Sequence, residues 1–594
     1  MKSLINIFLL LLITFSITIG CKKPTTKSFE EKDKGTLKIF LKGVVVALDV
    51  KYASTNKIDG LKVENNYTVH DGFESALSFY KSGHTQSKNS FSSEIPIPGT
   101  SKLDDGIRYR FMLYHVDEQN HLTFYGQTDL VVGEEDAALI NVEIGEKYKW
   151  YAYSYNSTEG IAPIADVDNP VVFMGYNKNF IYTNGEFTLN QELLIIDVIF
   201  QRSSAQLTVE FDARGLFTDE IRDLTLRFPS NILKTGNFNI FHDEVVGSFV
   251  SLPEQIVPLS GFENVDEGFN DRKRTSFFTA VPEVWNSIYF SLNKFDIILD
   301  DNNSIRSFPS TDFTLVRNLS IEVGKRYIAK IDLIESPLIF GGVSWARENL
   351  YRNEGGRNPY RFYHENKQTN DFRSYFSFKG HIPGKWGSTI IDNQRDPCAL
   401  VHPSNRWMTP SKSSFNELTK NSSGVVINSL LPTVLGNLLF GLVGQQTLNS
   451  TYGPNYIQYN TASGINSIYP SSSNVLRFYY NGYDLISLNV LGDGWVNLNL
   501  GNTYGLATGL WTDEQGVNLL SLLGAGAWGY FGTTRSILLS SPIATGINSP
   551  HLINLDLVGI NLLSSPLQNI RCIRNPAWEV LSQMPDYNPE PNLN

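Results

Sequence analysis

Between residues 36 and 336, stretches in which apolar side chains recur at every second position constrain the fold more than any other feature of the chain. Leu37, Ile39 and Leu41 alternate with Lys38, Phe40 and Lys42. Tyr109, Phe111 and Leu113 alternate with Arg108, Arg110 and Met112, and Leu207, Val209 and Phe211 with Thr208 and Glu210. Successive strand residues point to opposite faces, so period two marks half-buried antiparallel strands. Few stretches before residue 410 sustain helical spacing, so a second sheet is the natural cover for each apolar face. The 594 residues exceed what one core can hold, and two or three domains are expected.

One internal echo divides the β-rich part. Val142-Glu143-Ile144-Gly145-Glu146-Lys147-Tyr148 is matched 179 residues later by Ile321-Glu322-Val323-Gly324-Lys325-Arg326-Tyr327, and both read strand, glycine turn, basic residue, tyrosine, strand. Glycine supplies the positive φ of a tight turn. The echo predicts two tandem sandwiches, each closing with this hairpin.

The N-terminus reads as an export signal. Lys2 is followed by an apolar run, Leu4 to Ile19, too short for a comfortable membrane span, and then by Gly20 and Cys21. A small residue before a cysteine at the end of a signal core resembles the bacterial lipobox. The resemblance implies that Cys21 is acylated, becomes the first mature residue and anchors the protein to a membrane. The polar stretch 21–35 then serves as a tether. Cys398 and Cys572 remain, and in an oxidising compartment such a pair is expected to bridge. In the loop-entropy model a bridge across so long a loop constrains the unfolded chain by about 5 kcal/mol.

Taken in order, the signal, YRFMLYHVDE (109–118), VEIGEKYKWYAYSYN (142–156), ELLIIDVIFQRSSAQLTVEF (192–211) and IEVGKRYIAKIDL (321–333) resemble the fimbrillin-type proteins of Bacteroidetes. The resemblance implies two transthyretin-like β-sandwich domains, and fimbrial subunits as partners through strand addition. It also implies trimming by an arginine-directed protease, yet no arginine precedes Arg108. Either another protease acts or the lipid is retained.

The chain changes character after Pro337. GGVSWARENL (341–350), PYRFYHEN (359–366), FRSYFSFKGHIPGKWG (372–387), DPCALVHPSNRWMTPSKSSFNEL (396–418) and QNIRCIRN (568–575) together resemble the FISUMP-type, C-type-lectin-like module. Its frame holds, with Phe415 and Leu418 on an amphipathic turn, although Met408 replaces a basic residue and Thr409-Pro410 are inverted. The family's two cysteines fall on Cys398 and Cys572.

The expected fold class is therefore mainly β: two tandem antiparallel β-sandwich domains followed by an α+β C-type-lectin-like domain. The boundaries are a signal at 1–20, a tether at 21–35, sandwiches at 36–190 and 191–336, a lectin-like domain at 337–576 and a Pro/Asn-rich tail at 577–594. Within the lectin-like domain, 421–570 is an insert with few charges, and its Val425–Gly444 run has none. Pro432 and the absence of basic flanks argue against a membrane span there and favour a buried helix or packed loops. So apolar a surface, where exposed, marks an interface.

No HExxH, GxSxG, P-loop or zinc spacing occurs, so no catalytic residue, cofactor or metal is expected. His115 reads as a half-exposed strand residue. A thiolate–imidazole pair of Cys398 and His402 is removed by the disulfide. Asp300-Asp301-Asn302-Asn303 and Asp166–Pro170 read as turns, and Glu590-Pro591-Asn592 as a chance likeness to a lectin loop. Trp386, Trp495, Trp511 and Trp528 are candidate ring-stacking aromatics, each with an ordinary core role as the alternative. A net charge of −11 excludes a basic nucleic-acid face. The function expected is a surface lipoprotein of the outer membrane acting as a fimbrial accessory or tip subunit. Its lectin-like domain would adhere to a glycan or protein. The alternative is a glycan-binding lipoprotein for nutrient capture outside any fimbria.

Overall fold

The computed structural model describes residues 33–45, 61–70, 72–81, 100–134, 139–282, 284–299, 303–364, 367–384 and 395–418. Beyond these it describes 450–453, 455–459, 475–482, 487–489, 495–497, 504–505, 507–516, 526–533, 545–552, 555–557, 560–563, 567–582, 584 and 587–593. The fold is mainly β, in several sheets. Among the described residues no helix is long and apolar enough to cross a membrane.

The N-terminal sheet has eight strands, with Lys34–Val45 running parallel to Leu193–Arg202 at one end and Arg108–Val116 pairing with Lys147–Ser154 and Leu122–Val131 at the other. Leu37, Ile39, Phe111 and Leu113 share its core with Trp150 and Val198. The expectation of half-buried strands needs correction at Arg108–Val116. Met112 and Tyr114 are as buried as Phe111, because a second cluster covers the other face with Phe180, Phe238 and Ile240. Arg110 survives there because it donates to Asp129, at 2.6 and 2.8 Å, and to the carbonyls of Ile161 and Ala162.

The middle of the chain builds a six-stranded sheet, in which Ala205–Gly215 lies between Arg272–Thr279 and Arg326–Glu335. Five further strands, among them Glu220–Phe228 and Val284–Ile298, share a core with it through Leu207, Val209, Phe211, Leu224, Phe290 and Ile331. The strand pairing departs from the expected boundary at 190/191. Leu193–Arg202 stays with the N-terminal sheet, whereas the hairpin Leu61–Val69 and Phe73–Lys81 crosses over and pairs with Arg326–Glu335. Phe73, Leu77 and Phe79 place its apolar face in the middle core.

The sequence echo is physical. Gly145 and Gly324 adopt φ of +89° and +78°. Each turn is then closed by its tyrosine hydroxyl, which accepts the N–H of Glu143 (3.1 Å, Tyr148) or Glu322 (2.9 Å, Tyr327). Gly215 ends the parallel pairing with Arg326–Glu335, where the register shifts. A Cβ there would lie 2.5 Å from the Leu333 carbonyl oxygen, a backbone atom that cannot swing aside. Gly215→Ala is expected to cost about 1–3 kcal/mol, read by urea denaturation.

The C-terminal region carries small sheets. Ile573–Arg574 pairs with both Val343–Trp345 and Trp407–Met408. Cys398 and Cys572 form a disulfide with Cα atoms 5.7 Å apart, both cysteines buried in a core with Phe376, Trp407 and Ile570. The helical half of the expected α+β arrangement reduces, among the described residues, to 3-10 turns and the single helical turn Trp578–Leu581. Lys412–Phe415 is one such 3-10 turn, opened by the Ser411 hydroxyl accepting from Ser414 and burying Phe415; Leu418, just beyond it, is buried too. Val425–Gly444 lies outside the described residues.

Candidate functional site

Strand alternation sends Glu210, Asp212, Lys330, Asp332 and Glu74 to the face of the six-stranded sheet that turns away from its core. All five are buried, because the C-terminal region lies over them. Arg214 takes both oxygens of Asp212, at 2.9 and 2.6 Å, and both oxygens of Glu590, at 2.7 and 2.6 Å. Arg406 donates to Glu74 at 3.0 Å, and its guanidinium lies between the rings of Tyr67 and Trp578, 4.7 and 4.5 Å from their centroids. Arg574 donates to Glu74 and to the Glu335 carbonyl. Burial, then the neighbouring Arg406, brings the Arg574 guanidinium down to about 10. Phe217 reaches across in the other direction and packs against Phe362. The Pro/Asn-rich tail is therefore docked through Trp578 and Glu590, and Glu590 has a structural partner in Arg214.

Asp212, Asp332 and His402 bring potential ligand atoms within 4.8 Å of one another. Lys330 already lies between the two carboxylates, 2.8 Å from Asp332 and 3.3 Å from Asp212, with Arg272 at 3.5 Å. Burial opposes ionisation of Asp212, but Arg214 and then His402 and Lys330 outweigh it and hold the carboxyl well below its usual range. A divalent ion would meet three protein cations here, so the cluster is an ionic junction and not a metal centre.

A cavity of about 330 Å³ opens on the C-terminal region. Lys379, Arg395, Asp396, Thr409, Trp511 and Asp513 contribute to its lining. Asp396 is spent on structure, since it accepts from Thr409 N–H and hydroxyl at 2.9 and 2.6 Å and from Cys398 N–H at 2.9 Å. Arg395 is braced by the Asn592 carbonyl at 3.0 Å. Asp513 is different: its Oδ1 is buried and has no hydrogen-bond partner. Burial, then the charges of Glu514 and Asp396, raise its carboxyl above the ordinary range, and Lys379 partly offsets this. Partly buried carboxyls with raised pKa, facing cations across a cleft, are a recognised mark of a binding site. A second cavity of about 660 Å³ runs between the N-terminal sheet and the middle strands, past Asn184, Gln201, Glu244 and Phe249.

The two tryptophans whose side chains are described, Trp511 and Trp528, do not converge. Trp511 is buried, its indole N–H donates to the Phe376 carbonyl at 2.8 Å, and its ring meets Phe378, so it is a wall and not a stacking platform. It pairs with Gly529, which puts the adjacent Trp528 on the opposite face of the same two strands. One side of Trp528 is covered by the Lys412 ammonium, 3.4 Å from the ring centroid. Trp495 lies on a strand of a separate sheet, Trp495–Asn497. Trp386, Cys21 and Asp300–Asn302 lie outside the described residues. His115 is half-exposed beside Glu146 at 2.7 Å, and Asp166 caps its own turn by accepting the N–H of Asp168 at 3.0 Å. Sequence reasoning missed Asp513 and Lys379, which neither a motif nor proximity along the chain connects.

No family model matches the chain, and no curated protein matches it. Solved structures give partial likenesses. A candidate cell adhesion protein of Bacteroides fragilis is 11% identical with a TM-score of 0.30, covering 52% of this chain and 95% of its own. A candidate cell adhesion protein of Bacteroides ovatus is 12% identical with a TM-score of 0.24, covering 38% and 81%. A candidate polysaccharide-binding protein of Bacteroides thetaiotaomicron is 10% identical with a TM-score of 0.20, covering 34% and 70%. At these scores the likenesses fix neither fold nor function.

Proposed function

We propose that this chain is a non-enzymatic outer-membrane lipoprotein, anchored through Cys21 and exposed at the cell surface. Two β-sandwich domains carry a lectin-like C-terminal domain that adheres to a ligand, and the protein sits at the end of a fimbria as an accessory or tip subunit. The observation supporting the terminal position is the state of Arg326–Glu335. That strand is paired on one side with Ala205–Gly215 and on the other with Phe73–Lys81, and the C-terminal region covers its outer face. Among the described residues, the closing strand of the middle domain is therefore already paired on both edges and is not free for β-addition to a neighbour.

Immunogold labelling of fibres from cells producing the full chain tests this reading. Label at fibre ends or at the cell surface is expected. Label spaced along the shaft overturns the terminal position, and a Cys21→Ala variant that still fractionates with the outer membrane overturns the lipid anchor.

A further inference from the structure

We propose that the outer face of the N-terminal sheet, centred on Lys34–Val45, lies on the lipid surface to which Cys21 is anchored. The inference rests on the lipid-anchor reading and adds a protein surface that sets how the anchored chain stands. Lys34–Val45 pairs with Leu193–Arg202 on one side and with Leu139–Glu143 on the other. Partners across paired strands share a face, so Leu139, Lys38 and Ile195 form one row, with Phe40 on the same side as Lys38. Leu37, Ile39, Val142 and Ile196, of the other parity, fill the core. Leu139, Leu193 and Ile195 are 59, 49 and 53% exposed, so three large aliphatic side chains stand side by side at the surface of one sheet. Singly scattered apolar residues are ordinary on a surface, whereas a contiguous group marks a contact.

Two observations select a lipid surface over another protein. The first is where the chain leaves the sheet. Lys34–Val45 runs through the middle of the patch and is also the first described strand, so the chain departs towards Cys21 from the patch itself. Twelve peptide steps separate Cys21 from Asp33, a reach of about 40 Å at full extension, so an acylated Cys21 keeps this face near a bilayer. The second is the lysines among the apolar residues. The Lys38 and Lys42 ammonium groups lie 4.8 and 5.7 Å from the Phe40 ring centroid. Protein interfaces are depleted in lysine, whereas an aliphatic stem with a charged tip suits the boundary between acyl chains and headgroups. Net charge is secondary. Lys34 stands opposite Glu143 and Lys42 is 3.7 Å from Asp197, so among the described residues of this face three lysines meet two carboxylates. Leu139, Leu193 and Ile195 therefore carry the contact. A contact of this size does not hold a protein on a membrane alone, and a salt wash releases it. Beside acyl chains it has only to set orientation, because the anchor has already met the cost of encounter.

The test is hydroxyl-radical footprinting of the acylated full chain on vesicles of phosphatidylethanolamine and phosphatidylglycerol, recovered by flotation. Ile256, on the middle strands, is the internal reference, since at 60% exposed it matches Ile195 in both exposure and side-chain chemistry. Ile195 is expected to be oxidised about threefold less than Ile256, or lower still. In the variant carrying Leu139→Glu with Leu193→Glu, Ile195 should rise to the level of Ile256 while the protein still floats and its thermal midpoint stays at the wild-type value. Equal oxidation of the two isoleucines in the wild type overturns the proposal, as does protection that the variant retains. Protection that grows with the number of copies per vesicle also overturns it, since a second copy would then be covering the face. Flotation separates this from the broader reading. Protein that floats with Ile195 unprotected defeats only this face, whereas protein that fails to float defeats the lipid anchor.

Discussion

Asp212→Asn is expected to destabilise the protein by about 3–5 kcal/mol in guanidinium denaturation, because it leaves buried cations without their counter-charge. Asp212 is fully buried and meets Arg214, Lys330 and Arg272 at once. By contrast Lys102→Ala removes an exposed pair with Asp105 and should change stability by no more than about 1 kcal/mol. The same junction gives a pH dependence. Burial raises the Glu590 carboxyl, but the hydrogen bonds and charge of Arg214 outweigh that and bring it down to about 2. A carboxyl depressed in the folded state stabilises fully above its unfolded value near about 4.3, and the contribution is lost as pH falls through the folded value. Stability should therefore decline between about pH 4.5 and pH 2, with Asp212 adding in the same direction. Glu590→Gln should flatten that decline, since glutamine does not titrate. A cost below about 1 kcal/mol for Asp212→Asn would mean that charge does not hold the junction.

That junction is also where the sequence is least readable. Period two tells which residues share a face, and it identified Leu37 and Ile39, and Leu207, Val209 and Phe211, as core. It cannot tell what covers the other face. Glu210, Asp212, Lys330 and Asp332 look like a solvated surface because charges usually are, yet here a second protein surface meets them with charges of its own. The glycine turns at 145 and 324 were legible because a positive φ leaves a local mark, and the disulfide because its cysteines were the two left over. The crossover of the hairpin 61–81 was not, since strand partners distant in sequence are chosen by packing and not by local pattern. The pocket failed for the same reason: Lys379 and Asp513 meet only through tertiary structure. Trp511 and Trp528 were equal candidates by composition, and the parity of their strands separates them.

Removing the disulfide by Cys398→Ala with Cys572→Ala is expected to cost about 2–5 kcal/mol, concentrated in the C-terminal region. The two cysteines close a loop of 174 residues, and both are completely buried, so the pair also fills core beside Phe376, Trp407 and Ile570. The bond fixes two elements that matter elsewhere. Cys572 immediately precedes Ile573–Arg574, whose pairing with Val343–Trp345 and Trp407–Met408 positions Arg574 against Glu74. Cys398 N–H is held by Asp396, which also holds Thr409 at the cavity wall. Loss of the bridge should therefore weaken the junction and loosen the pocket together. Calorimetry is expected to show the C-terminal transition moving to lower temperature while the transition of the β-sheet cores at 34–336 shifts less. Fast proteolysis should begin between 395 and 418. If the double variant melts as one cooperative unit within about 1 kcal/mol of the wild type, the bridge contributes little beyond what packing around Trp407 already supplies, and the coupling between cystine, junction and pocket is disproved.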